Sequence, residues 1–173
     1  VLICSPTSFH SKQIIFAAKH KKDIFCEKPV DLSLEKTIEI LNIINKTKVK
    51  FMIGFNRRFD PDFMKVKKMV DKGKIGKVQT IKITSRDPNP PSINYIKNSG
   101  GLFVDMTIHD FDMACNIANS EVNEVFTSVN TINKKIKQAG DIDTAITTLK
   151  FENNIICSID NSRKSVYGYD QRI

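Results

Sequence analysis

A chain of 173 residues with 40% hydrophobic and 27% charged side chains can bury a core and lies outside the composition of disordered or fibrous proteins. The formal net charge of +8 would suit an anionic partner, but Lys65, Lys67, Lys68, Lys72, Lys74 and Lys77 are spread round helical faces with little aromatic interleaving. That pattern argues for a solvated surface and against a specific nucleic-acid site.

In chain order, Val1 to Cys4 is a short continuous apolar run, as in a central parallel strand covered on both faces. "SPTSFH" breaks it, and helical apolar spacing follows from Ser11 to His20 through Ile14, Ile15, Ala17 and Ala18. "DIFCEKP" is a second strand ended by proline. "LSLEKTIEILNIINKT" predicts an amphipathic helix with Ser33 as N-cap and Leu34, Ile38 and Leu41, then Ile44 or Asn45, along its apolar side. "KFMIGFN" is a third strand. Strand, helix, strand, helix, strand with short links is half of a doubly wound parallel sheet.

The pattern changes after Asn56. A helix is expected over Asp60 to Lys72, stopped by Gly73, followed by a half-exposed strand in "KVQTIKITSRD" and a proline-rich loop, "DPNPPS". The stretch "SGGLFVDMTIHDFDMA", Ser99 to Ala114, reads as a Gly-Gly break leading into a helix. Three strand-like runs follow, "EVNEVFTSVNTI", "DTAITTLKFEN" and "NIICSIDNSR", the last two joined by an "ENN" turn. The expected fold class is therefore α/β: the C-terminal part of a Rossmann-type parallel sheet over residues 1–56, then an α/β (α+β) domain with an open, largely antiparallel sheet over 57–173. Because the first and last residues fall inside structured segments, the chain reads as an internal piece of a longer polypeptide.

Cys4, Cys26, Cys115 and Cys157 are widely separated in apolar surroundings, the pattern of buried free thiols in a reducing compartment rather than of a disulfide frame or zinc site. No apolar run approaches the ~18 residues of a membrane span. A cytoplasmic enzyme or binding protein is the default expectation.

Ligands of doubly wound sheets bind at the carboxyl ends of the strands. "CSPTSFH" and "CEKP" both lie at such ends and are expected to face one crevice, with Ser5, Pro6 and Thr7 on one segment and Glu27 and Lys28 on the other. Asp105 and His109, four apart, would share a helix face continued by Asp112 and Asn116, with Val104, Ile108, Phe111 and Cys115 turned to the core. That spacing fits a solvated polar face with a weak ion pair, or a base and its orienting carboxylate. A metal site from Asp105, His109 and Asp112 would lack the usual histidine-rich ligand set, so no metal is expected.

"CSPTSFHSKQIIFAAKHKKDIFCEKPV", "FMIGFNRRFDPDF", "SGGLFVDMTIHDFDMA" and "DNSRKSVYGYDQR" together resemble the Gfo/Idh/MocA family of nicotinamide-dependent oxidoreductases over nearly the whole chain. The ending "VYGYDQR" points within that family toward members acting on cyclitols. The resemblance implies NAD-dependent oxidation of a cyclitol or sugar hydroxyl to a ketone, with Lys28, Asp105 and His109 as the catalytic triad. It also implies Arg58 and Tyr169 near the substrate, and Ser5, Pro6, Thr7, Glu27 and Lys28 near the cofactor. The family's G-x-G-x-x-G turn and the acidic residue after it are absent, and Gly100-Gly101 has the wrong place and spacing to replace them. NADP is thus left open beside NAD. By analogy a homo-oligomer, dimer or tetramer, is implied. The competing expectations are another sugar or polyol dehydrogenase of the same family, a non-catalytic ligand-binding relative, and an inactive fragment.

Overall fold

In the computed structural model, which describes residues 1–173, the chain divides into two units, Val1–Asn56 and Arg57–Ile173. The first unit alternates β1 (Leu2–Ile3), α1 (Thr7–Lys19), β2 (Ile24–Cys26), α2 (Leu34–Thr47) and β3 (Phe51–Ile53). Its strands form a parallel sheet in the order β1-β2-β3, with Ile3 opposite Cys26 and Cys26 opposite Ile53. Ile3, Ile24 and Cys26 of the sheet pack against Ile14, Ala17 and Ala18 of α1 and Ile40 and Ile44 of α2.

Three expectations need correction. The helix α1 starts at Thr7, four residues before Ser11, because Pro6 takes the N-cap position with φ −57° and its carbonyl accepts from Phe9 N at 2.9 Å. In α2 the stripe Leu34, Ile38 and Leu41 faces outward, and Leu34 is 69% exposed. The helix is apolar on two sides, and the one that meets the sheet carries Ile40 and Ile44; periodicity alone does not choose between two such stripes. Ser33 does cap α2, accepting from Lys36 N at 3.3 Å. Finally, Cys4 is exposed and Cys115 half-buried, while Cys26 and Cys157 are buried. The strand β1 ends at Ile3, so Cys4 has already left the sheet.

The second unit contains α3 (Pro61–Asp71), β4 (Thr80–Arg86), α4 (Ile93–Asn98), a π-helical turn (Phe103–Thr107), α5 (Ile108–Ala118), β5 (Val122–Asn130), α6 (Lys134–Gln138), β6 (Thr144–Phe151), β7 (Ile156–Ser162) and β8 (Asp170–Arg172). Its five-stranded sheet has the order β5-β6-β7-β4-β8, antiparallel except between β4 and β7. Three short elements, α4, α6 and β8, follow the proline-rich loop, the Asn133 cap and the "YGYD" segment and carry no periodic signal in the sequence.

One face of this sheet packs on α5. The inward row of β4 runs Ile81, Ile83, Ser85, and that of β7 runs Cys157, Ile159, Asn161, all buried. The two rows are in register, Ile81 with Cys157, Ile83 with Ile159 and Ser85 with Asn161. Both therefore change from apolar to polar at the same level. The apolar half meets Met113, Ala114, Ile117 and Ala118 of α5, whose last turn ends at Asn119 in the left-handed conformation. The polar half meets the π turn and the first turn of α5.

Candidate active site

The core-facing side of the Asp105–Ala118 segment differs from the one α-helical spacing predicts. Met106, Thr107, Asp110, Met113, Ala114 and Ile117 are buried, while Val104, Ile108, Phe111 and Cys115 are only partly so. The π turn closes i→i+5 bonds and widens the coil, so residues before and after Thr107 do not share one α-helical register. Asp110, which the sequence reading places on neither face, turns into the protein and is fully buried.

Burial of a carboxylate requires partners. Asp110 is paired with Arg57 and accepts from Asn161 Nδ2 at 2.7 Å. Asn161 Oδ1 in turn accepts from Thr107 Oγ1 at 2.9 Å. Ser85 Oγ accepts from Arg57 Nη2 at 3.3 Å and from Gln171 Nε2 at 2.6 Å. Burial still pushes the Asp110 carboxyl above the usual carboxylate range, against the lowering influence of Arg57, Asn161 and Ser85.

A second group of charges lies round Asp105. Its Oδ1 accepts from Tyr95 Oη at 2.8 Å and its Oδ2 stands 3.4 Å from Arg163 Nη1. Burial, with the neighbouring Asp105 carboxylate, pushes the Tyr95 phenol up to about 12. Asp87, just beyond β4, has its carboxyl raised by burial; Arg163 and Arg57 oppose the shift and Asp105 and Asp110 add to it. His109 is half-buried on the first turn of α5. Three carboxylates, two arginines, a tyrosine and a histidine thus share one polar end of the second unit. Among them only Asp105 and His109 were singled out in the sequence as candidates for chemistry. Tyr95, Asp87, Arg57, Asp110 and Arg163 were missed, although the odd-numbered alternation of β4 and β7 carries straight on to Asp87 and Arg163.

Gly100 and Gly101 shape the entry to this segment. Both have positive φ, and a Cβ on Gly101 would lie 2.7 Å from Asp141 Oδ1, which accepts from Leu102 N at 3.1 Å. The glycine is needed for close approach to a carboxylate. Arg58 and Tyr169, matched by motif to the substrate side, sit differently. Arg58 makes three hydrogen bonds to Asp112, at 2.7, 2.8 and 3.1 Å, and Tyr169 is 65% exposed.

In the first unit, Ser5 follows the end of β1, Glu27 and Lys28 follow β2 and Gly54 follows β3. A Cβ at Gly54 would meet Glu27 Oε2 at 3.0 Å, so the Glu27 carboxylate lies over the end of β3. The buried His10 of α1 ties two of these ends together, its ring nitrogens 2.8 Å from the carbonyl oxygens of Ser5 and Pro29. Lys28 is half-buried and precedes a cis proline. Hydroxyl, carboxylate, ammonium and backbone groups at the C-terminal ends of three parallel strands are a donor set that fits a nucleotide cofactor. No helix is long and apolar enough to cross a membrane.

Comparison with known proteins adds an independent line. The family model described as an oxidoreductase family with an NAD-binding Rossmann fold matches residues 1–55, and the GFO/IDH/MocA C-terminal domain matches residues 63–173. The chain is 55% identical over 174 residues to the uncharacterized oxidoreductase YrbE of Bacillus subtilis (strain 168), covering 100% of this chain and 51% of the relative. It is 51% identical over 174 residues to the myo-inositol 2-dehydrogenase of Thermotoga maritima, covering 100% and 52%. Among solved structures, scyllo-inositol dehydrogenase from Lactobacillus casei with bound cofactor NAD(H) and scyllo-inositol is similar with a TM-score of 0.89 at 33% identity, over 99% of this chain and 52% of that one. The chain spans about half the length of the curated relatives it matches.

Proposed function

The chain belongs to the Gfo/Idh/MocA oxidoreductase family, and from that premise we propose that the protein carrying it oxidises a secondary hydroxyl of a cyclitol to a ketone, with NAD as hydride acceptor. The observation that carries the reading is the polar end of the second unit, where Asp105 and His109 stand on one helical segment among buried charges. The relatives named as inositol dehydrogenases supply the substrate class.

Removing a hydride from an alcohol carbon requires that the hydroxyl proton leave as well. We assign its acceptance to His109, since an imidazole titrates near neutral pH, and general-base catalysis typically contributes about 10²–10⁴-fold. Asp105 orients the imidazole and stabilises it once protonated. Lys28 donates a hydrogen bond to the substrate oxygen and offsets alkoxide charge as it develops. Ser5, Pro6, Thr7, Glu27 and Lys28 would hold the cofactor, which when bound supplies the hydride-accepting ring. Arg58 and Tyr169 are assigned to the substrate side on motif alone.

The test is NADH absorbance in the full-length protein with a panel of myo-inositol, scyllo-inositol, other cyclitols and aldoses. Cyclitols are expected to be oxidised in preference to aldoses. His109→Ala should lower kcat by at least ~10²-fold with NAD affinity unchanged, and Lys28→Ala should also lower it. Wild-type turnover in His109→Ala, or no cyclitol oxidation at all, overturns the proposal.

A further inference from the structure

Arg163 is the largest fully buried side chain of the protein, only 1% exposed. It continues the inward row of β7 one step beyond Asn161. Its guanidinium spans two carboxylates from different parts of the chain, with Nη1 3.4 Å from Asp105 Oδ2 and Nη2 3.3 Å from Asp141 Oδ2. Both carboxylates are themselves largely withdrawn from water.

A planar, permanently charged fork can serve two anions at once, which a lysine ammonium at the same place does less well. The consequence for Asp105 is specific. Tyr95 occupies Oδ1 and Arg163 faces Oδ2, so both oxygens are spoken for and the carboxylate has one orientation. Asp141 is fixed in its turn by Leu102 N and by contact with Gly101. Arg163 thereby links the end of β7 to the π turn that carries Asp105 and to the residues that open it.

We propose that Arg163 is a positioning residue for the reaction, holding Asp105 in a single orientation toward its catalytic task, with Asp141 balancing the remaining charge. This rests on the reading of Asp105 and His109 as an orienting carboxylate and its base. The charged and titratable groups round Asp105 are Tyr95 from α4, Arg163 after β7 and Asp87 after β4, and His109 follows on the first turn of α5. The fork acts on the chemistry only through Asp105, so its loss lowers kcat while leaving substrate and cofactor binding in place, a split that a purely structural side chain would not produce.

The experiment uses the full-length protein in three forms. Arg163→Met combined with Asp141→Asn removes both charges together, so that no carboxylate of the pair is stranded, and the amide oxygen introduced at position 141 still accepts from Leu102 N. Arg163→Lys keeps a charge but not the fork. The double variant is expected to lose roughly 10–100-fold in kcat, with KM for the cyclitol and Kd for NAD within about threefold of wild type. Arg163→Lys should recover part of the rate. A double variant that binds NAD normally and retains wild-type kcat overturns the proposal. Should the double variant not fold, Arg163→Lys decides, and wild-type kcat there overturns it. A wild-type protein inert toward every cyclitol, or a fully active His109→Ala, removes the functional reading and this proposal together. Failure confined to the position 163 variants removes only the role of Arg163.

Discussion

Replacing Arg57 by methionine strips the cation from a carboxylate that has no access to solvent. Asp110 is 0% exposed and Arg57 13% exposed at the side chain. Without the guanidinium, Asp110 keeps only the neutral donors Asn161 and Ser85. Breaking a buried pair from one side costs about 3–5 kcal/mol, because the charge left behind stays desolvated. Against a typical domain stability of about 5–15 kcal/mol this is a large loss. Arg57→Met/Asp110→Asn behaves differently: the amide still accepts from Asn161 and no charge remains, so it should recover to within about 1 kcal/mol of wild type.

The pH dependence has a defined sign. Burial already raises the folded-state pKa of Asp110, and removing Arg57 raises it further. A raised pKa gives stability that is fully present below the unfolded value and lost as pH rises through the folded one. The deficit of Arg57→Met should therefore be widest near neutral pH and shrink toward about pH 5. Urea denaturation of wild type, single and double variants at about pH 7 and about pH 5 measures it. A single variant within about 1 kcal/mol of wild type at neutral pH, or a gap that fails to narrow on acidification, would refute the reasoning.

Two further outcomes are expected. Under native conditions a thiol-alkylating reagent should modify the exposed Cys4 first, while Cys26 and Cys157, buried and with thiols pushed up to about 12 by desolvation, stay unmodified until the protein unfolds; peptide mapping after brief alkylation checks this, and early labelling of Cys157 contradicts it. Gly101→Ala should lower thermal stability more than Gly140→Ala, because both glycines have φ near +80° (78° and 79°) but only the Gly101 Cβ would strike Asp141, with nothing near Gly140. Backbone strain alone is worth roughly 1–3 kcal/mol, and equal melting temperatures for the two variants would show that the Asp141 approach is not tight.

Much of the fold was legible because its cores are apolar and periodic. The short runs round Ile3, Ile24 and Phe51 announce the parallel strands, and the alternation of Ala145, Thr147, Leu149 and Phe151 marks β6 as a strand with one buried face. The polar end of the second unit was much less so. Hydropathy reads Asn161 and Arg163 as a strand running out into water, whereas their parity with Cys157 and Ile159 keeps them facing inward. Which reading holds depends on partners that no local window contains: Arg57 lies 53 positions from Asp110, and Asp105 lies 58 from Arg163.

The "NRR" and "HDFD" motifs show the same limit at single-residue scale. Both arginines of the first were available to pair with both later carboxylates of the second, and the sequence marks Arg58 rather than Arg57 as the residue of interest. In the fold the neighbours diverge: Arg57 turns in to the buried Asp110, and Arg58 lies along the surface on Asp112. Breaking the inward pair from one side costs more, since it strands a fully desolvated carboxylate, whereas the Arg58 guanidinium is 46% exposed and its pairing is screened. It also fixes the turn of α5 that bears His109, directly adjacent in sequence to Asp110. A change at Arg57 is therefore expected to act on the candidate base through the helix that presents it, and a change at Arg58 to leave that presentation largely intact.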